Sequence, residues 1–577
     1  MRVRPFAVVM LLFSVTLVAQ QKPAPSTSGD QIVERIIQRE NELATNLRQF
    51  SPLVETYIQI LEPDADLGYV PKDDRYFLGK LNLKDKVEEA SYDEPQQKGK
   101  MKGALSSMSG IFSLFSTKLD RRGFLYTALV DDGGFSAENY EFEYVRREFL
   151  GEVRCLVFNA VPKKGAKGVH FLGRMWVEDQ GYNIVRFNGV RTPSTMTSKY
   201  VHFDSWRVEV GPGMWLPALV YTEESNLKFG MGKGTRFKGQ TRFWGYNVTR
   251  GLRAPDELTH ITVDNATQAV KDESQASMDM SPLKAEHVWQ SQAEDSVLEK
   301  IQRAGLLAPE GEVDKVLKTV VNNLIITNNL DLPNDVRCRV LLTTPLESFT
   351  VGNTIIVSRG LLDVLPDEAS LAAMLAHELA HIVLGHQVDT QYAFYDRTLF
   401  PDEDVFRRIA VSHTDAEEAA ADKKSIEMLK KSPYGDKLQN AGLFLKALSM
   451  RSPNLPNLIH PHLGNRLAEG GQVVRMSELA SAAPDLQMNK PDQVVALPMG
   501  GRIKLDPWND KVELMKGKPV AALSAREKQP FEITPVYPYL TRVKVEAPSQ
   551  AGGAANTNPE ITVTGGVKAD GKTDGNQ

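Results

Sequence analysis

"LPDEASLAAMLAHELAHIVLGH", Leu365 to His386, holds three of the ten histidines in a chain of 577 residues. Leu371, Met374, Leu375, Leu379, Ile382 and Val383 recur at helical spacing, which predicts a mostly buried helix. Pro366 and Asp367 suit its start, where acidic groups meet the positive end of the helix dipole. On such a helix His377 and His381 lie one turn apart on one face. Two imidazoles so placed can grip one metal ion, and Glu378 borders its open position, where it can take a proton from water. The plainer alternative is a buried helix with satisfied core histidines. Buried polar groups need partners, however, and one metal supplies both histidines at once.

The third ligand sets the subclass. The pattern HExxHxxGxxH fails here, because glycine stands at 385 and position 387 is Gln387. His386, on a continuing helix, is therefore expected to point away from the His377/His381 line. The other solution is a glutamate on a later helix. "HTDAEEAAADKKSIEMLKK", His413 to Lys431, supplies one, with a helix expected over Ala416 to Leu429. Glu418 and Asp422 share a face of it. Glu418 can bind the metal, and Asp422 can accept the N–H of a metal-bound histidine and so fix its ring. Glu417 is the competing ligand, and a solvated acidic first turn is the alternative to both.

Working outward, the length bounds the chain at three or four units of ~150 residues. It is 42% hydrophobic and 24% charged, with a net charge of -5 and no basic face, so nucleic acid is not an expected partner. Residues 1–19 read as a secretory signal peptide: Arg2 and Arg4, an apolar run from Phe6 to Val18, then Ala19. An uncleaved anchor is the alternative. No later run is long enough to span a membrane. Export would permit Cys155 and Cys338 to pair; two buried thiols acting as small apolar residues is the plainer expectation.

The whole reads as a multidomain α+β chain. Residues 20–30 are a Pro/Ser-rich linker. Residues 31–284 form a helix, expected over 31–62, and then an antiparallel β-rich domain with strands such as "VRCLVFNAV" and "HFLGRMWVED" between about Phe124 and Asn247. Residues 285–480 form a mainly helical domain with a small sheet around the HELAH motif. Residues 481–547 are a β-like segment, and 548–577 a Gly/Asn-rich tail expected to be disordered.

Four features in order resemble the HtpX-like and CAAX-prenyl-protease-like zinc metallopeptidases: "VLLTTPLESFTVGNTIIVSRGLLDVL" from Val340, HELAH, "EAAAD" (Glu418 to Asp422) and "HPHLGNR" (His460 to Arg466). The resemblance covers about residues 310–475. The absence of membrane helices makes the soluble, exported, BepA-like branch the nearer one. It implies one Zn2+ per chain on His377, His381 and Glu418, with Glu378 as general base. It also implies polypeptide substrates and a place in envelope protein quality control, in the periplasm or secreted. His460 is a candidate switch or fourth ligand, with His462 its rival and simple packing the alternative. Arg466 is a candidate loop anchor or transition-state stabiliser. The chain departs from the family's Asn-Ala-Phe at Glu347-Ser348-Phe349. Asn353 to Ser358 is the expected edge strand for substrate pairing. The β-rich region is similar in pattern to the half-barrel of LolA/LolB-type lipoprotein carriers. That implies a possible hydrophobic ligand, and an alternative function as a binding protein with a latent or inactive protease domain.

Overall fold

A computed structural model describes residues 28–65, 68–82, 88–91, 124, 127–131, 134–194, 200–227, 235–246, 282–332, 334–388, 411–460, 463–487, 493, 503–506, 511–514, 531–533 and 538–543. The expected signal segment 1–19, the expected disordered tail 548–577 and His462 lie outside the described residues.

Helix α1 (Ser28–Asn46) opens the described chain. It ends well before residue 62, and strand β1 (Leu53–Asp64) follows. The expected helix over 31–62 is therefore too long. In β1, Val54 and Ile58 enter one core while Leu53 and Tyr57 enter another. A strand buried on both faces lacks the polar alternation that identifies strands from sequence.

Nine more strands complete the sheet: β2 (Gly68–Asn82), β3 (Glu88–Ser91), β4 (Tyr140–Leu150), β5 (Val153–Pro162), β6 (His170–Glu178), β7 (Ile184–Thr192), β8 (Phe203–Gly211), β9 (Met214–Leu227) and β10 (Thr235–Trp244). Their order is β3-β2-β1-β10-β9-β8-β7-β6-β5-β4, with antiparallel neighbours throughout. One face packs Phe124, Phe171, Phe187 and Phe203 beneath α1. There Glu40 of α1 pairs with Arg207 at 2.6 Å, both deeply buried. The other face packs Trp176, Trp206 and Trp215 with Leu540 of the C-terminal segment.

The second region runs through α2 (Pro282–Arg303), α3 (Glu312–Thr327), β11 (Arg337–Leu341), β12 (Ser348–Val351), β13 (Thr354–Ser358), α4 (Arg359–Val364) and α5 (Glu368–Leu384). It continues with α6 (Asp415–Lys430), α7 (Leu438–Arg451), α8 (Pro456–Ile459), the hairpin β14 (Ala468–Glu469) and β15 (Gln472–Val473), and α9 (Ser477–Ala482). A further hairpin pairs β16 (Ile503–Asp506) with β17 (Lys511–Leu514). The small sheet has the order β11-β13-β12. The expected edge, Asn353 to Ser358, is thus its central strand, paired on both sides, and β12 is the edge beside α5.

Sheet and helices share one core, in which Leu53, Tyr57, Leu78 and Trp244 pack with the helical region. Two buried carboxylates of the sheet cross into that region. Glu55 accepts from Thr344 N at 2.5 Å and Thr344 Oγ1 at 2.8 Å. Asp74 accepts from Asn457 N at 3.0 Å and Leu458 N at 2.8 Å. Cys155 and Cys338 are free and buried, and burial pushes both thiols up to about 12. None of the described helices is long and apolar enough to cross a membrane.

Candidate metal centre

Helix α5 starts where Asp367 accepts from Ser370 N at 2.8 Å. Met374, Leu375 and Leu379 are buried, each contributing ~1.5–3 kcal/mol. Together they fix the rotation of the helix and with it the direction of His377 and His381, both fully buried. The helix stops at Gly385, whose φ of 71° needs a residue without a side chain. That turn folds His386 back, so that its Nδ1 lies 2.9 Å from His381 Nδ1. His386 thus does not point away, because the helix does not continue to it.

Helix α6 begins with a capping box of Thr414 and Glu417. Glu417 is occupied there, accepting from Thr414 N at 3.0 Å. Glu418 instead faces α5, 3.2 Å from His377 Nε2 and 3.5 Å from His381 Nε2. The two Nε2 atoms are 3.1 Å apart. His377, His381 and Glu418 offer one ligand atom each, all within 4.8 Å of one another. Glu418 Oε1 is buried without a hydrogen-bond partner, an acceptor left over among converging groups. Asp422 Oδ1 lies 2.9 Å from His377 Nδ1, and its Oδ2 accepts from Met476 N at 2.7 Å.

Glu378 is 1% exposed. Its Oε1 accepts from Ser348 Oγ at 2.8 Å and Arg475 Nη1 at 2.9 Å, and its Oε2 from Thr350 Oγ1 at 2.9 Å. Burial alone would push this carboxyl up. The charges of Arg475, His377 and His381 and the Ser348 hydroxyl outweigh it and hold it below the usual range. Glu418 follows the same logic: burial opposes, while His377, His381 and Arg475 hold it well below the usual range.

His460 ends α8, and its charged neighbours are Arg466 and Glu469. Among the described residues no hydrogen bond or ion pair joins it to His377, His381 or Glu418. Arg466 is half-exposed and pairs with Glu469. Three further groups that reach the centre, His413, Ser348 and Arg475, escaped the sequence reading. His413 stacks on His381 with ring centroids 3.9 Å apart, and burial, then the charge of His381, pushes it down to about 4. Its place just before the cap of the glutamate helix was a usable signal. Ser348, at the departure from Asn-Ala-Phe, was another. Arg475 had none.

Two histidines on a buried helix, a facing glutamate and a held carboxylate beside them make up one group that could hold a metal ion. Residues 312–400 match the sequence model of Peptidase family M48. The match takes in α3, the small sheet and α5, and stops before Glu418. No curated protein matches the chain. Among solved structures, a LolA superfamily protein, NE2245 from Nitrosomonas europaea, is similar at 9% identity, covering 38% of this chain and 93% of that one, with a TM-score of 0.19. A DUF1329 family protein from Desulfovibrio piger is similar at 11% identity over 37% of this chain and 93% of that one, with a TM-score of 0.18.

Proposed function

We propose that the chain is an exported zinc-dependent endopeptidase, with His377, His381 and Glu418 holding one zinc ion, Asp422 orienting His377 and Glu378 acting as the base. The observation that carries this is the convergence of two imidazole nitrogens and a carboxylate oxygen on one buried point. The side chains around that point support a cation there: three carboxyl groups, those of Glu378, Glu418 and Asp422, gather against one guanidinium, Arg475. Bound zinc supplies Lewis-acid chemistry to a peptide carbonyl and to water. Glu378 takes the proton of the attacking water and passes it to the leaving amine. Export follows from residues 1–19, and a role in envelope protein quality control from the family resemblance. The aromatic face of the sheet packs against Ile36 of α1 and against Phe124, Val130 and Phe135, which supports a scaffold over a carrier of hydrophobic ligands.

The test is zinc analysis of the purified protein together with casein digestion. Cleavage should stop with a chelator and return with zinc. Glu418→Ala should lose the metal and Glu417→Ala should keep it. Chelator-resistant cleavage, or metal lost from the 417 variant instead, overturns the assignment.

A further inference from the structure

The arginine at the centre lies outside every motif. Arg475 follows the β14–β15 hairpin, nine residues beyond Arg466, and its side chain is 3% exposed. Nη1 donates to Glu378 Oε1 at 2.9 Å and to Ser348 Oγ at 3.0 Å, and Nε donates to Glu418 Oε2 at 3.2 Å. The next residue, Met476, is buried in a left-handed conformation with φ 57°, and its N–H is held by Asp422. The chain at 475–476 is therefore clasped to α6 at two points one helical turn apart, while the guanidinium reaches across to α5.

We propose that Arg475 is a positioning residue that fixes the aim of the Glu378 carboxylate, with Ser348 and Thr350 completing the cradle. The proposal rests on the peptidase reading and deepens it. The terminal torsion of a glutamate is broad, so the carboxylate plane has no preferred aim of its own. Here both oxygens are engaged from fixed directions, one by Ser348 and Arg475 and the other by Thr350. Of these donors only Arg475 is charged, and only Arg475 also touches Glu418. One planar fork thus sets the base relative to the helix that carries Glu418. A lysine would supply the charge as a point, without the fork. Gly464 packs into the same corner: a side chain there would meet the Ser348 carbonyl at 2.6 Å, so the strand that presents Ser348 is held from outside as well. A base must lie within hydrogen-bond reach of its proton, and a misplacement of ~1 Å costs on the order of 100-fold in rate.

The test uses full-length Arg475→Gln and Arg475→Lys. The glutamine variant should keep one zinc per chain and a nearly unchanged KM, with kcat lower by about 100-fold. The lysine variant should recover part of the loss. Wild-type kcat in the zinc-loaded glutamine variant overturns the proposal and leaves Arg475 as a structural ion pair only. If the glutamine variant does not fold, the lysine variant decides by the same criterion: reduced kcat at full zinc supports the role, and unchanged kcat ends it. A second measurement needs no activity. Metal-free wild type, Arg475→Gln, Glu378→Gln and the double variant are unfolded in denaturant. Coupling predicts that the double variant unfolds no earlier than the worse single one, whereas additive losses overturn the pairing. A wild type without zinc-dependent cleavage would instead sink the peptidase reading, and the unfolding cycle would still judge the Arg475–Glu378 pair.

Discussion

The ten-stranded sheet and the helical region both bury carboxylates, and they treat them differently. In and against the sheet each is matched by donors. Glu40 takes both terminal nitrogens of Arg207 and the N–H of Val130. Glu178 takes the N–H groups of Gln180, Gly181 and Asn183 together with Arg542. At the centre one acceptor is left over: Glu418 Oε1 has no hydrogen-bond partner, and Glu418 faces two imidazole nitrogens that face each other. A buried group left unpaired is costly, so a cluster of them needs a reason. Matched charge holds the sheet to its neighbours, while the left-over acceptor sits among groups that could hold a metal ion.

The largest effect should come from the centre. Glu378→Gln should keep zinc and lose proteolysis by roughly 10²–10⁴-fold, the usual worth of a proton-transferring group. Casein cleavage with parallel metal analysis checks it, and full activity would put the base elsewhere. On the matched side, Glu40→Ala leaves the Arg207 guanidinium in the core without its carboxylate, with the carbonyls of Ile184 and Ala128 as its remaining acceptors. It should lower stability by ~3–5 kcal/mol, read by denaturant unfolding, with zinc content unchanged.

Asp74 sharpens the contrast through pH. Burial raises it from 3.8 to about 6, against the hydrogen bonds from Asn457, Leu458 and Tyr57. The folded protein therefore binds this proton more tightly than the unfolded chain does. The stability so gained is fully present below 3.8 and is lost as pH rises through about 6, ~3 kcal/mol at most. The difference in unfolding free energy between wild type and Asp74→Asn should fall across that window, and a flat difference would refute the shift. The smallest effect belongs to Arg466→Ala. Its pair with Glu469 is exposed, so stability should change by less than ~1 kcal/mol, with zinc content unaltered.

How much could be read in the sequence follows from how local each feature is. The HELAH helix is specified by its own spacing and cap, and the grouping of His377 with His381 by one helical turn. Glu418 needed only the next helical pattern. The sheet was legible where strands alternate between short breaks after Phe124, and it was missed at β1, where both faces are buried, and at β2 and β3 beside it. Arg475, Glu55 and Asp74 were illegible because each acts on residues far away in the chain: Arg475 on Glu378, 97 positions earlier, and Asp74 on Asn457, 383 positions later. Nothing in the residues around them encodes such partners.

The reach of Glu55 and Asp74 has a consequence for hydrogen exchange. Segments beside an active cleft usually open on their own, at little free energy. Here the amide hydrogens of Thr344 and Leu458 end on carboxylates of β1 and β2, in the interior of a ten-stranded sheet. Those two amides cannot meet solvent until the sheet and the helical region part. They should exchange as slowly as the strands themselves, and the segments leading into β12 and out of α8 inherit the kinetics of a β-sheet.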